Sequence, residues 1–284
     1  MNKAQFLVWL KTPANQRHSL VMGILNVTPN SFYDGGRYIS PTIAYERAQA
    51  MIEQGVDLID IGGESSKPGA ETISLNEELG RVIPVIERIC ASNDVCVSID
   101  TCKPVVMQAA IAAGAACIND ISALTADAAA VSTAARLQVP ICLMHMKGSP
   151  RDMQKTPHYE RHVVDEINDF FKQRIAICVE AGIARDLLIL DPGFGFGKSV
   201  EHNIQLTRQF HAFQQHQLPL LFGVSRKSTI GAILKQTPDD RLPGGLALAV
   251  FAVTQGASII RTHDVAETKQ ALIMLDVIRK GLGE

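Results

Sequence analysis

Three aspartates, Asp60, Asp100 and Asp191, and one asparagine, Asn119, each stand at the end of a short apolar run. Two later runs end instead in basic residues: Arg226 and Lys227 follow Ser225, and His263 follows Arg261 and Thr262. A ring of buried carboxylates suits either a divalent ion or the N–H and amino donors of a nitrogen heterocycle. Unpartnered buried charge is costly, so such a ring requires a ligand or cation beside it. The two basic segments suit an anion, with phosphate the natural guest.

The elements that must carry these residues are legible as eight apolar runs, each closing on hydrogen-bonding chemistry. In order they are VMGILN to Asn26, VDLIDIGGE to Asp60 and Glu64, VCVSID to Asp100, and ACIND to Asn119. ICLMHM with His145, LLILD to Asp191, LLFGVSRK to Lys227 and ASIIRTH to His263 complete the set. Parallel strands buried on both faces read as continuous apolar stretches. Eight of them, polar at one end, predict an α/β fold: a single-domain (β/α)8 TIM barrel with its active site at the carboxyl ends of the strands. The expected division is a lead-in segment at 1–19 and a barrel at 20–284.

Helix punctuation separates the runs. Ser40-Pro41 and Lys103-Pro104 open helices, Gly55 and Gly114 close them, and Ser74 to Glu77 reads as a capping box. Pro84 is expected to kink or delay the helix it falls in. Further helical patterns cover about 160–181, 199–216, 244–255 and 265–280. Polar connections at 28–40, 64–72 and 146–158 leave strand ends that already carry polar groups, as binding loops do.

The 284 residues suit one barrel, which takes roughly 250. A net charge of −2 provides no field for nucleic acid or acidic membranes. No apolar run approaches the roughly 20 residues that span a bilayer. Around Phe6–Leu10 the flanking Lys3, Lys11 and Arg17 do not make a secretory signal, so an N-terminal strand or hairpin is expected. The six cysteines show no C-x-x-C pair, which fits core thiols in a reduced, cytoplasmic setting. DPGFGFGKS at 191–199 fails as a phosphate loop, with Pro192 where glycine is needed; its glycines are expected to let backbone approach a flat ligand. His158 and His162 lack an H-E-x-x-H frame and read as a solvated helix face; His202, His211 and His216 are equally ordinary.

From about residue 20 to 280 the chain resembles the dihydropteroate synthase family. MGILNVTPNSFYDGG (22–36), DIGGESSKPGA (60–70), SIDT (98–101) and NDIS (119–122) carry the likeness with LMHMKG (143–148), DPGFGFGK (191–198), GVSRKS (223–228) and RTHDV (261–265), all in the family's order. The resemblance implies condensation of 6-hydroxymethyl-dihydropterin diphosphate with p-aminobenzoate, releasing diphosphate in folate synthesis. It also implies that Asp100, Asn119, Asp191 and Lys227 hold the pterin edge, while Met144 and Phe196 wall the ring. Arg261 would stack on the ring and reach phosphate, with Ser66 and His263 on the diphosphate. Asn26 would ligate Mg2+, and Phe32, Lys67 and Pro68 would border p-aminobenzoate. Asp100, Asp191, Lys227, Arg261 and His263, the last if protonated, are the implied catalytic set. A homodimer is also implied.

The sequence departs from the family pattern at Asn30, Tyr33 and Ser66-Lys67, where the family usually has Asp, Ser and Thr-Arg. All lie in the loops expected to cover p-aminobenzoate. The alternatives are a pterin-binding methyltransferase domain, which needs no diphosphate cations, and a non-enzymatic paralogue. Arg261, His263 and the full TPNSFYDGG loop argue against the first; intact Asn26, Asp100, Asp191 and Lys227 argue against the second.

Overall fold

The computed structural model describes residues 1–28 and 41–281. The eight expected strands are β1 Leu20–Asn26, β2 Leu58–Gly62, β3 Cys96–Asp100, β4 Cys117–Asp120, β5 Ile141–Met144, β6 Leu188–Asp191, β7 Leu221–Gly223 and β8 Ile259–Thr262. All pair in parallel in the order β6-β5-β4-β3-β2-β1-β8-β7. A single bridge between Leu190 and Leu220 closes the ring, with the Leu190 amide donating to Pro219 O at 2.9 Å. The expected (β/α)8 barrel is therefore present, and no described helix is long and apolar enough to cross a membrane.

The helices are α1 Lys3–Lys11, α2 Pro41–Glu53, α3 Leu75–Ser92, α4 Pro104–Ala112, α5 Ala130–Leu137, α6 Val163–Glu180, α7 Val200–Arg208, α8 Ser228–Leu234, α9 Leu242–Thr254 and α10 Val265–Lys280. α3 begins well before Pro84 and continues past it, so the proline does not delay the helix. Ser74 caps it by accepting from the Glu77 amide. The side chain of Glu77 turns to Arg81 instead of completing a box.

Alternation along the strands splits the core into two shells. Outward residues such as Val21, Ile59, Val97, Ile118 and Ile260 pack beneath the helices. Inward residues such as Leu20, Leu58, Cys96, Cys142 and Ile259 fill the cylinder's lower half with Phe6, Trp9 and Leu10 of α1. The N-terminal segment is thus a helix and not the expected strand or hairpin. Asn2 and Gln5 form a reciprocal capping box, each side-chain oxygen accepting the other's backbone amide at 2.9 Å. Arg17 then donates to Leu10 O and Thr12 O at the helix's far end. The Asn/Gln box was the local signal, hidden because Ser/Thr with Glu is the commoner pair.

The six cysteines are free thiols, and Cys96, Cys117 and Cys142 are buried as expected. Burial raises all three above their ordinary values, as suits inert core groups.

Candidate active site

Strand register brings the polar residues to one rim. Asp100 pairs with Asn119, Met144 with Asp191, and Asn26 and Asp100 each with Gly62. Arg261 lies opposite Gly223 at the end of β7. The inward-pointing upper layer is therefore made from the carboxyl ends of the strands, where barrel enzymes place their chemistry.

One cation answers most of the buried negative charge. Arg261 donates through Nε to Asp60 Oδ2 at 2.6 Å and through Nη2 to Asp100 Oδ2 at 2.8 Å. Asn119 Nδ2 adds a third contact, to Asp60 Oδ2 at 2.8 Å. The protein itself thus supplies a cation to Asp60 and Asp100, while Asp60 Oδ1 is buried without a hydrogen-bond partner. Burial raises Asp100 to about 7, opposed by Arg261 and reinforced by Asp60, Asp120 and Glu78. Arg261 is in turn held above its ordinary value: burial pushes it down, but Asp60 and Asp100 outweigh that. The guanidinium is turned to the two aspartate carboxylates.

Opposite this network, Asp191 accepts from the Gly193 amide at 2.7 Å. Burial raises the Asp191 carboxyl, while Lys227, the Gly193 amide and Arg261 pull it back down. Lys227 donates to Phe194 O, and its ammonium stands 4.5 Å over the half-buried Phe196 ring. Burial lowers Lys227 to about 8 against the attraction of Asp191. Met144 is buried beside this pair. Hydrogen-bond acceptors, one cation and two apolar side chains thus come together at the β5, β6 and β7 exits, a set whose chemistry suits a flat heteroaromatic ring.

The residues expected on the phosphate side stand at the β7 and β8 exits and in the 64–72 loop. His263 shares a 3.0 Å contact with Ser225 Oγ, and burial lowers its imidazole to about 4, with Arg261 and Arg226 adding to the push. Burial thus disfavours the charged form, and the ring offers hydrogen bonds. Arg226 is committed to Asp264, at 2.6 Å, so of the two cations expected here only Lys227 faces Asp191. Lys67 is exposed but near enough to His263 to depress it further, and Pro68 is exposed beside it. Ser66 lines a cavity of about 940 Å3 with Glu64, Asp100, Lys103, Ser149 and Arg151. That cavity lies over the β2 to β5 exits. The Gly69 amide donates to Pro150 O at 3.0 Å, tying the 64–72 loop to the 146–158 loop. Phe32, Asn30 and Tyr33 lie outside the described residues.

Two glycines of 191–199 are needed for packing against the neighbouring loop. Gly193, at φ +68°, would place a Cβ 1.9 Å from His145 O, and Gly197, at φ +64°, 2.2 Å from Lys147 O. They let this turn press against the backbone leaving β5. His158 is an exposed partner of Glu160, and His162 caps α6. Sequence reasoning also missed Glu78, buried on α3. It accepts from Thr101 Oγ1 at 2.6 Å and from Lys103 Nζ at 2.5 Å, while Lys103 also holds Glu64. Nothing local marks a glutamate one turn into an amphipathic helix as buried.

Residues 22–263 match the family model for pterin binding enzymes. The dihydropteroate synthase of Escherichia coli (strain K12) is 49% identical over 265 residues, 93% of this chain and 93% of that protein. The chain belongs to the dihydropteroate synthase family. Members are transferases, and this chain is one. Its fold is similar to the Yersinia pestis dihydropteroate synthase crystallised with a sulfonamide drug complex, at a TM-score of 0.88, 47% identity and 95% coverage of each chain. It is also similar to the Xanthomonas albilineans enzyme solved with 4-aminobenzoic acid, at a TM-score of 0.87, 44% identity and coverage of 93% of this chain and 94% of that one.

Proposed function

We propose that the protein condenses 6-hydroxymethyl-7,8-dihydropterin diphosphate with p-aminobenzoate, giving dihydropteroate and diphosphate in folate synthesis. The observation that carries the assignment is the paired arrangement at one rim. Asp100, Asn119, Asp191 and Lys227 gather at one rim with Met144 and Phe196, and Arg261 and His263 stand at its β8 edge.

Carboxylates accept the N–H and amino donors of the pterin, and Lys227 donates to its carbonyl oxygen. When pterin enters, its donors replace Arg261 on Asp100, and the released guanidinium can stack on the ring and face phosphate. Breaking the CH2–O bond expels diphosphate and leaves positive charge that the electron-rich ring shares. The fixed negative field of Asp100 and Asp191 favours that cation. Arg261, Ser66 and the imidazole of His263 meet the departing charge by hydrogen bonding. Preorganised contacts of this type each contribute roughly 3–4 kcal/mol by analogy with oxyanion donors. The arylamine nitrogen attacks the CH2 carbon, forms the new C–N bond and loses its proton. It is already nucleophilic, so no enzyme-bound covalent intermediate is needed. Phe32, Lys67 and Pro68 would border the p-aminobenzoate ring.

Mg2+ fits a limited role. Among the described residues no three His, Cys, Asp or Glu side chains come together to hold an ion, and Asp60 and Asp100 are taken by Arg261. Asn26 at the end of β1 offers one hard oxygen, which suits an ion arriving with the substrate's phosphates. When bound, the ion would supply charge neutralisation on the diphosphate. The remaining proposals are a cytoplasmic setting and a homodimer.

The deciding assay measures diphosphate release with each component omitted in turn. Release that requires p-aminobenzoate and is strengthened by Mg2+ supports the reading. Methyl transfer from methyltetrahydrofolate without diphosphate release would replace it with the methyltransferase alternative. Sulfonamides, as p-aminobenzoate mimics, compete in the same assay.

A further inference from the structure

Lys198, at the end of the glycine-rich turn, takes no part in the chemistry above, yet only 2% of it is exposed. Its ammonium donates to Gly193 O at 2.9 Å and Phe196 O at 3.1 Å, and meets His145 Nδ1 at 3.0 Å. These are three acceptors for three N–H groups. His145 O, at 3.4 Å, is a longer fourth contact. His145 is itself buried, with its ring edge-on to Phe170 at 5.0 Å. The His145 backbone amide donates to Asp191 O at 2.9 Å. Asp191 is therefore held by its carbonyl from the β5 exit and by its carboxylate from Gly193. The backbone between Gly193 and Phe196 is held by Lys198.

Stability alone does not explain such a group. Taking an ammonium out of water is costly, and apolar replacements of buried charges are often neutral or stabilising. What an apolar side chain cannot supply is directed bonds to two carbonyls of one turn and to the ring of the neighbouring loop. Glycine at 193 and 197 permits the contact, and the lysine fixes it. Burial pushes Lys198 well below its ordinary value, opposed by the charge of Asp191.

We propose that Lys198 and His145 are positioning residues for the pterin end of the reaction: a buried cross-brace that sets the Asp191–Phe196 turn without touching substrate. The proposal rests on the assignment of Asp191 and Phe196 to the pterin site.

Four variants of the full chain test it: Lys198→Met, His145→Phe, His145→Asn and Asp191→Ala. Asparagine places an amide oxygen near the position of Nδ1, whereas phenylalanine keeps a ring without an acceptor. The readouts are calorimetric affinity for 6-hydroxymethylpterin, KM for p-aminobenzoate and thermal unfolding. Lys198→Met and His145→Phe are expected to weaken pterin binding on the order of 10- to 100-fold, the scale of a small misplacement. KM for p-aminobenzoate should stay within about twofold, and His145→Asn should bind pterin within about threefold of the parent. Parent-like pterin affinity in Lys198→Met overturns the brace. So does equal loss in His145→Asn and His145→Phe, or a loss that only tracks the folded fraction. If Lys198→Met does not fold, the two His145 variants decide. Normal pterin binding by Asp191→Ala sinks the site assignment itself. Lost binding there, with parent-like Lys198→Met, sinks the brace alone.

Discussion

The two ends of the barrel solve the same packing problem with opposite chemistry. At the amino-terminal end, Phe6, Trp9 and Leu10 of α1 meet inward residues such as Leu20 and Ile259, and apolar contact fills the cylinder. At the carboxyl end the same inward positions carry Asp60, Asp100, Asn119, Asp191 and Arg261, and ion pairs and hydrogen bonds take over. The lower end is a plug whose cost of loss is stability. The upper end holds charge that is satisfied internally until a ligand offers something better. A buried ion pair adds little net stability, so the upper arrangement is retained for what it binds.

The largest expected effect falls on the upper end alone. Asp191→Ala leaves a site built for hydrogen-bonding donors without its acceptor, and pterin affinity should fall on the order of 100-fold or more by calorimetry. A melting temperature near the parent's would separate the two ends cleanly. Arg261→Ala tests whether one residue serves both purposes. Stripping the partner from Asp60 and Asp100 should destabilise by about 3–5 kcal/mol in denaturant unfolding. Turnover of the diphosphate substrate should fall more than affinity for bare hydroxymethylpterin; equal losses would count against a phosphate role.

At the lower end, Phe6→Ala should cost about 3–5 kcal/mol of stability, with both KM values unchanged. A change in pterin affinity would show that the ends are coupled. The pH profile sharpens the contrast, because the upper end holds two groups shifted toward neutrality, Asp100 and Lys227. Pterin donors need Asp100 ionised, and its value of about 7 means affinity falls below that pH, by about tenfold per unit. Lys227 loses its charge above about 8, so binding should be strongest between the two values. Asp100→Asn should flatten the acid limb. The smallest effect belongs to Asn2→Ala, which removes the α1 cap and should cost about 1 kcal/mol with activity intact.

Legibility in the sequence followed how local each signal was. The strands could be read because burial on both faces leaves unbroken apolar runs, and Asp100, Asn119 and Asp191 could be placed because they end those runs. The α1 helix was misread because its apolar patch is short and its cap used Asn and Gln. Lys198 sat inside a motif that suggested phosphate, and only its three acceptors reveal a structural brace. Glu78 gave no signal, since its partners Thr101 and Lys103 are 23 and 25 residues away.

The sequence by itself determined the eightfold alternation, the end of the barrel that carries chemistry, and the family, because apolar periodicity and strand-end residue types are written locally. Only the tertiary structure decided which charges meet. Arg261 reaches Asp60 across 201 positions of chain and Asp100 across 161. The lowered pKa of His263 and the burial of Lys198 depend on neighbours brought by closure of the cylinder. Electrostatic energies depend on distance and solvent exclusion, and neither exists until the barrel has closed.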